Sequence, residues 1–180
     1  MTTQPATKTL SMPTAGTYRI DGSRSGITYT CRHMFGLGKV RADFSIASGH
    51  LEIAETLPEC RAVATIDAAS FTSDNAKRDS DVKGPRLLDV ANFPRIEFIS
   101  TGVREGSPGA VLVGVVAMHG VDAAVELKVS SWEAQGSDQI HVLARADRLD
   151  RYSFGITGAK GWVGRYFDLA LDVVAAPAAT

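Results

Sequence analysis

Apolar residues recur at every second position through most of this chain, and that period constrains the fold more than any other feature. Ile27, Tyr29 and Cys31 alternate with Thr28, Thr30 and Arg32, and Val40, Ala42, Phe44 and Ile46 alternate with Arg41, Asp43 and Ser45. The same holds for Ala62, Ala64 and Ile66, for Ile96 and Phe98 around Glu97, for Val121, Ala123, Val125 and Leu127, and for Phe167, Leu169, Leu171 and Val173. A period of two puts successive side chains on opposite faces of a strand, one apolar and one wet. Residues 111–118 are apolar on both faces and 140–146 alternate weakly. Their length and β-branched content still mark them as strands. Glycines such as Gly36, Gly38, Gly49, Gly106 and Gly120 punctuate the set.

The pattern predicts about eight strands joined by hairpin-like turns, an antiparallel meander. One stretch breaks it. Residues 73–92 are too polar for a strand. Ser73 or Asp74 is the expected N-cap of a short helix, and Pro85 marks a second helix start with Leu87, Leu88 and Val90 as its apolar face. The simplest architecture is mainly β: an eight-stranded antiparallel up-and-down barrel with a short helical insertion acting as a plug. A two-sheet sandwich is the alternative. The domain is expected over residues 16–174, with flexible tails at 1–15 and 175–180.

Eight closed strands leave room for side chains or one small ligand. A strand of ~10 residues, tilted ~40°, gives a barrel ~25 Å deep, which suits an elongated apolar guest. Small inward residues (Ala42, Ala62, Ala64, Gly114, Ala123, Ala144, Ala146) leave space that large ones would fill.

The remaining composition excludes several classes. In 180 residues, 19 Lys+Arg balance 20 Asp+Glu, for a net charge of -1. There is no basic face for nucleic acid and no polybasic membrane address. No run reaches the ~18 apolar residues of a membrane span, so membrane insertion is not expected. Two cysteines, Cys31 and Cys60, make no disulfide framework and are expected reduced. The polar, Thr-rich first residues lack the apolar core of a secretory signal, which makes the cytoplasm the expected compartment. The four histidines lack metal-ligand spacing, no G-x-S-x-G elbow is present, and Gly36–Gly38 lacks the third glycine of a dinucleotide loop. Neither metal nor cofactor nor catalytic residue is expected.

Several ordered motifs carry a resemblance. They are Asp21-Gly-Ser-Arg24-Ser25, an apolar strand from Ile27 to His33-Met34, and Val40-Arg-Ala42-Asp-Phe44. Asn75-Ala-Lys-Arg78-Asp79 follows, then Leu87-Leu88-Asp89 through Phe93-Pro94, and Phe98-Ile-Ser100-Thr101. Gly114 to His119-Gly120-Val121 and Asp150-Arg151-Tyr-Ser-Phe154-Gly155-Ile156 complete the set. Together they resemble the YceI family of lipocalin-like, polyisoprenoid-binding proteins. The sequence departs from that pattern at Arg24 and Asp81, where the family has His, and at Leu87-Leu88, where it has a Phe pair.

The resemblance implies a non-enzymatic protein that binds, stores or transports a long-chain isoprenoid-like lipid, a polyprenyl diphosphate or a quinone precursor. A homodimer is compatible with it. The alternative is an enzyme or heme-type redox protein of lipid or quinone metabolism using His33 or His119. Burying a prenyl chain gains ~25 cal/mol per Å² of apolar surface. The expected lining is Phe35, Phe44, Ile46, Phe71, Leu87 and Phe93, with Phe98, Met118, Leu127, Phe154 and Trp162. Asn75, Arg78 and Arg151 are the candidates for a polar or phosphorylated head group. Plain core packing, and ion pairs Arg78–Asp79 and Asp150–Arg151, are the competing roles.

Overall fold

A computed structural model of the chain describes residues 11–33, 35–107, 109–135 and 138–179. Ten strands form one antiparallel sheet: β1 (Gly16–Ile20), β2 (Gly26–His33), β3 (Gly38–Phe44), β4 (Ile46–Ile53), β5 (Arg61–Asp67), β6 (Arg95–Gly106), β7 (Gly109–Met118), β8 (Val121–Gln135), β9 (Gln139–Asp150) and β10 (Val163–Pro177). The order is β1-β4-β5-β6-β7-β8-β9-β10-β2-β3, and a β1–β10 pairing closes the ring.

Ten strands make only eight staves. β10 pairs with β2 along Val163–Asp172 and with β1 at Ala175–Pro177, so β1 and β2 are two halves of one stave. β3 pairs with β2 and β4 with β1, so β3 and β4 are likewise one stave, interrupted at Ser45. The result is the closed eight-stave up-and-down barrel expected from the alternation. Every stave neighbours the next in sequence.

Local chemistry explains both interruptions. Asp21 accepts from the Ser23 backbone N–H (3.0 Å) and hydroxyl (2.6 Å), a side-chain turn that ends β1. Gly22 is needed there, because a Cβ would stand 2.4 Å from the Ile46 carbonyl oxygen on the other broken stave. Ser25 then replaces the lost ladder bonds, accepting from the Val174 N–H and donating to the Val174 carbonyl. At the second break the Ser45 N–H donates to the Ser70 hydroxyl (2.8 Å), on the short 3-10 helix that follows β5.

The C-terminal tail expected from residue 175 is a strand instead. Tyr18, Arg19 and Ile20 pair with Pro177, Ala176 and Ala175, and Ala175 is completely buried. The small alanines that look like a tail fit where two staves converge. At the other end, residues 1–10 lie outside the description. Ser11 and Thr14 contact the barrel through hydrogen bonds from Trp132 Nε1 and the Tyr18 hydroxyl.

The insertion between β5 and β6 holds one α-helix, α1 (Ala76–Lys83). Its N-cap is Asn75 rather than Ser73 or Asp74, and Asn75 Oδ1 accepts from the Arg78 N–H. The second helix expected from Pro85 does not form. The N–H groups of Leu88, Asp89 and Val90 donate back to Val82, Gly84 and Lys83 rather than along a new helix. This fold-back buries Leu87 and Leu88 together, each side chain gaining about 1.5–3 kcal/mol on leaving water.

Strand directions sort the connections. The β2–β3 turn, the insertion, the β7–β8 turn and the β9–β10 loop gather at one end, the capped end. The β4–β5, β6–β7 and β8–β9 connections lie at the other.

Candidate functional site

A cavity of about 330 Å³ runs inside the barrel, in the size range of small-molecule sites. Inward positions of the staves line it, including Ala62, Ala64, Leu112, Val142, Ala144 and Leu171. These residues point inward yet stay only half-buried. In a filled core they would be sealed, so their exposed surface faces the cavity.

Small residues have two different fates. Ala62, Ala64 and Ala144 border the open space, whereas Ala42 and Ala146 are packed shut at 1% exposure. Gly114 is occupied too: a Cβ there would stand 2.5 Å from the Phe98 ring, which fills the gap.

Toward the capped end the lining turns aromatic. Tyr29 packs against Phe167 (centroids 5.2 Å apart), Phe71 (6.0 Å) and Phe44 (6.5 Å), with Phe44 and Phe71 edge-on at 5.3 Å. The polar lining residues, Tyr29, Cys31, His33, Arg78 and Arg151, collect in the same half. Burial pushes the Tyr29 phenol well above its ordinary pKa, helped by the neighbouring Cys31. Burial likewise raises the Cys31 thiol, against the opposing influence of Tyr29 and of the Arg151 and Arg78 charges. A thiol raised in this way stays protonated at neutral pH and is a poor nucleophile.

The two arginines are held differently. Arg151 is 3% exposed and donates to three backbone carbonyls: Ile156 (2.6 Å), Gly164 (2.9 Å) and Val163 (3.1 Å). It latches the β9–β10 loop onto the start of β10. Arg78 donates from Nε to the Ser73 hydroxyl (2.8 Å) and from Nη2 to the Ser73 carbonyl (3.2 Å), while Nη1 makes no hydrogen bond among the described residues. Neither arginine forms the ion pair weighed from sequence. Asp79 accepts from Ser73, which holds its carboxyl below the usual range, and Asp150 is bidentate with Arg165. Neither guanidinium that borders the cavity makes a salt bridge among the described residues, although the Arg151 charge helps hold the Asp150 carboxyl low and Ser73 bridges Arg78 to Asp79.

Of the lining residues expected from sequence, Phe44, Ile46, Phe71, Leu87, Phe98, Met118, Leu127, Phe154 and Trp162 border the cavity. Phe35 and Phe93 do not. Phe35 sits on the β2–β3 turn at 83% exposure, and its neighbour Met34 lies outside the described residues. Phe93 stacks on His119 (4.7 Å) outside the barrel mouth. Asn75 is committed to capping α1 and does not reach the cavity. His33 borders the cavity, and neither the His33 nor the His119 ring hydrogen-bonds a backbone group among the described residues. Tyr29 and Cys31 were missing from the expected lining, although their alternation with Thr28 and Thr30 already placed them on the face of Ile27.

A barrel of this topology, with its one insertion after the third stave, invites comparison with known families. The model of the YceI-like domain matches residues 18–175. The chain belongs to the YceI-like family. A UPF0312 protein of Pseudomonas putida strain GB-1 is 28% identical over 167 residues, covering 88% of this chain and 85% of that one. The structure of BcnA from Burkholderia cenocepacia superposes with a TM-score of 0.73 at 19% identity, over 86% of this chain and 98% of the other. A polyisoprenoid binding domain from Saccharophagus degradans, implicated in plant cell wall breakdown, gives 0.66 at 12% identity, over 92% and 100%. At such identities the two structures share the fold. In this YceI-like barrel both histidine replacements face solvent: Arg24 bonds Gln139 on the outer wall (2.7 Å), and Asp81 pairs with Lys77 on α1 (3.0 Å). Neither alters the cavity mouth.

Proposed function

We propose that this protein is a non-enzymatic carrier of a long-chain, isoprenoid-like lipid held lengthwise in the barrel. The observation that carries this reading is the polarity gradient of the cavity. Its body is bordered by Ala, Val and Leu side chains, and its capped end by Arg78 and Arg151, neither of which is in a salt bridge among the described residues. An amphiphile fits that gradient with its tail deep and an anionic head, such as a diphosphate, at the capped end. Arg78 has a free Nη1 to offer such a head, since guanidinium forks suit phosphate oxygens. A preformed apolar cavity limits the ordering cost of a flexible chain. The protonated Cys31 and Tyr29 supply no nucleophile, in keeping with binding rather than catalysis. The polyisoprenoid-binding character of one structural neighbour agrees with the assignment.

Solvent extraction of the purified protein followed by mass spectrometry tests it. A long-chain apolar molecule is expected in the extract. Farnesyl diphosphate is expected to bind more tightly than farnesol, and Arg78→Gln to erase the difference. An empty extract, together with no saturable binding of any prenyl or acyl probe, would overturn the proposal.

A further inference from the structure

Three large apolar side chains at the capped end are mostly exposed, and two of them, Phe35 and Leu37, touch neither core nor cavity. Leu37 is 89% exposed, Phe35 83% and Trp162 65%, the highest values among the large hydrophobic residues described. Single exposed hydrophobics are ordinary, but these are grouped. Phe35 and Leu37 occupy the β2–β3 turn, and Trp162 ends the β9–β10 loop. The two segments touch: the Phe35 N–H donates to the Gly161 carbonyl (3.2 Å), and the Phe35 ring lies 3.0 Å from where a Gly161 Cβ would stand. Phe35 is also held at φ 57°, a left-handed conformation disfavoured for a bulky residue. Structure that maintains a strained, exposed aromatic points to a use outside the fold.

Charge around the patch narrows the partner. Arg32 and Lys39 form a cross-strand pair at the base of the turn, and Lys160 precedes Gly161. All three are exposed, and none forms an ion pair among the described residues. Of the nearby carboxylates, Asp150 is paired with Arg165, whereas Asp168 accepts the Arg148 N–H and keeps its charge, which acts on Arg145. The patch is thus an apolar wedge with a cationic rim, which complements the interface of an anionic bilayer. Trp162 is suited to that depth, where indole rings concentrate. It also borders the cavity together with His33 and Val163, so the wedge is continuous with the cavity mouth.

We propose that Phe35, Leu37 and Trp162 dock the capped end reversibly onto anionic lipid surfaces, placing the cavity mouth against the bilayer. The surface argument stands on the patch, while its use for loading or unloading a guest rests on the carrier reading above.

Vesicle co-sedimentation of the full chain tests the docking. Vesicles of phosphatidylcholine alone are compared with vesicles containing roughly one-quarter phosphatidylglycerol, at ~0.1 M salt. Binding is expected to the anionic vesicles, to weaken as salt rises, and to fall roughly tenfold in the Phe35→Ser/Leu37→Ser variant. That variant leaves the cavity lining intact, so its binding of an apolar fluorescent probe is expected to match the parent chain. In a Trp132→Phe background, Trp162 emission should shift to the blue on anionic vesicles. Absence of sedimentation with retained probe binding overturns the docking and leaves the carrier reading standing; loss of probe binding in the parent chain does the reverse. Equal sedimentation of parent and double variant also overturns the docking. So does a dimer in analytical ultracentrifugation that the double variant dissolves without vesicle binding, which would assign the patch to a second copy of the chain.

Discussion

The wall of this barrel and its capped end obey opposite rules. In the wall, side chains alternate apart from a few register shifts, charges pair across strands on the outer face, and small residues decide where space remains. Arg104–Glu126 (2.9 Å) and Lys128–Asp147 (3.0 Å) are such outer pairs. At the capped end alternation stops, buried polar groups appear, and the backbone is strained. Among the described residues, five of the six non-glycine residues with positive φ lie in its connections, Phe35, Asp74, Asp89, His119 and Ala159, and the sixth, Arg148, sits near the end of β9 where the β9–β10 register shifts. Strain of about 1–3 kcal/mol per residue persists only where surrounding structure enforces it, and it gathers at functional sites. The wall makes a container, and the capped end carries its buried arginine and most of its strained backbone.

The largest effect is expected where a single side chain enforces the capped end. Arg151→Met should leave the carbonyls of Ile156, Val163 and Gly164 without their donor and cost about 3 kcal/mol or more in a denaturant titration. A cost under about 1 kcal/mol would mean that the latch is incidental. The wall offers a comparable position at Gly114. Gly114→Ala pushes a methyl group into the Phe98 ring and against the Ile99 carbonyl, at an expected cost of about 1–3 kcal/mol. A neutral result there would show that the wall yields where it is described as filled.

The smallest effect separates the regions by pH. Hydrogen bonds from Arg145 and Lys128 hold the Asp147 carboxyl below its ordinary value, and a bond from Arg165 does the same for Asp150. A carboxylate lowered on folding binds fewer protons in the native than in the unfolded state. Its contribution is present above the unfolded value of about 3.9 and lost as pH falls through the folded one. Melting temperatures should therefore drop from about pH 4 downward, and drop less steeply in Arg145→Ala and Arg165→Ala. Both pairs are partly exposed, so the effect is modest and shrinks with salt. Parallel curves for parent and variants would remove these pairs from the account.

The same division explains what was legible in the sequence. The staves were readable because a half-buried strand writes its period directly into the residues, as in Phe167, Leu169, Leu171 and Val173. The broken first staves were not, because Asp21 to Ser25 and Ser45 interrupt the ladder without interrupting the apolar face. The capped end was least legible. Pro85, Leu87 and Leu88 look like a helix start, yet the chain folds back on α1 to bury both leucines. Arg78 and Arg151 could be singled out by residue type, but their neighbouring aspartates suggested ion pairs that the geometry assigns elsewhere. Phe35 and Phe93 look like lining by size alone, and only the turns that carry them show that they face outward.

If the barrel holds an apolar chain, the open space that takes it lies in the wall, at Ala62, Ala64 and Ala144. A fluorescent polyene fatty acid titrated into the protein tests this most directly. Ala64→Leu/Ala144→Leu is compared with Lys128→Ala on the outer face. Saturable emission enhancement is expected in the parent chain and in Lys128→Ala, and none in the double leucine variant, because Ala64 and Ala144 border the cavity. Equal enhancement in all three proteins would contradict it.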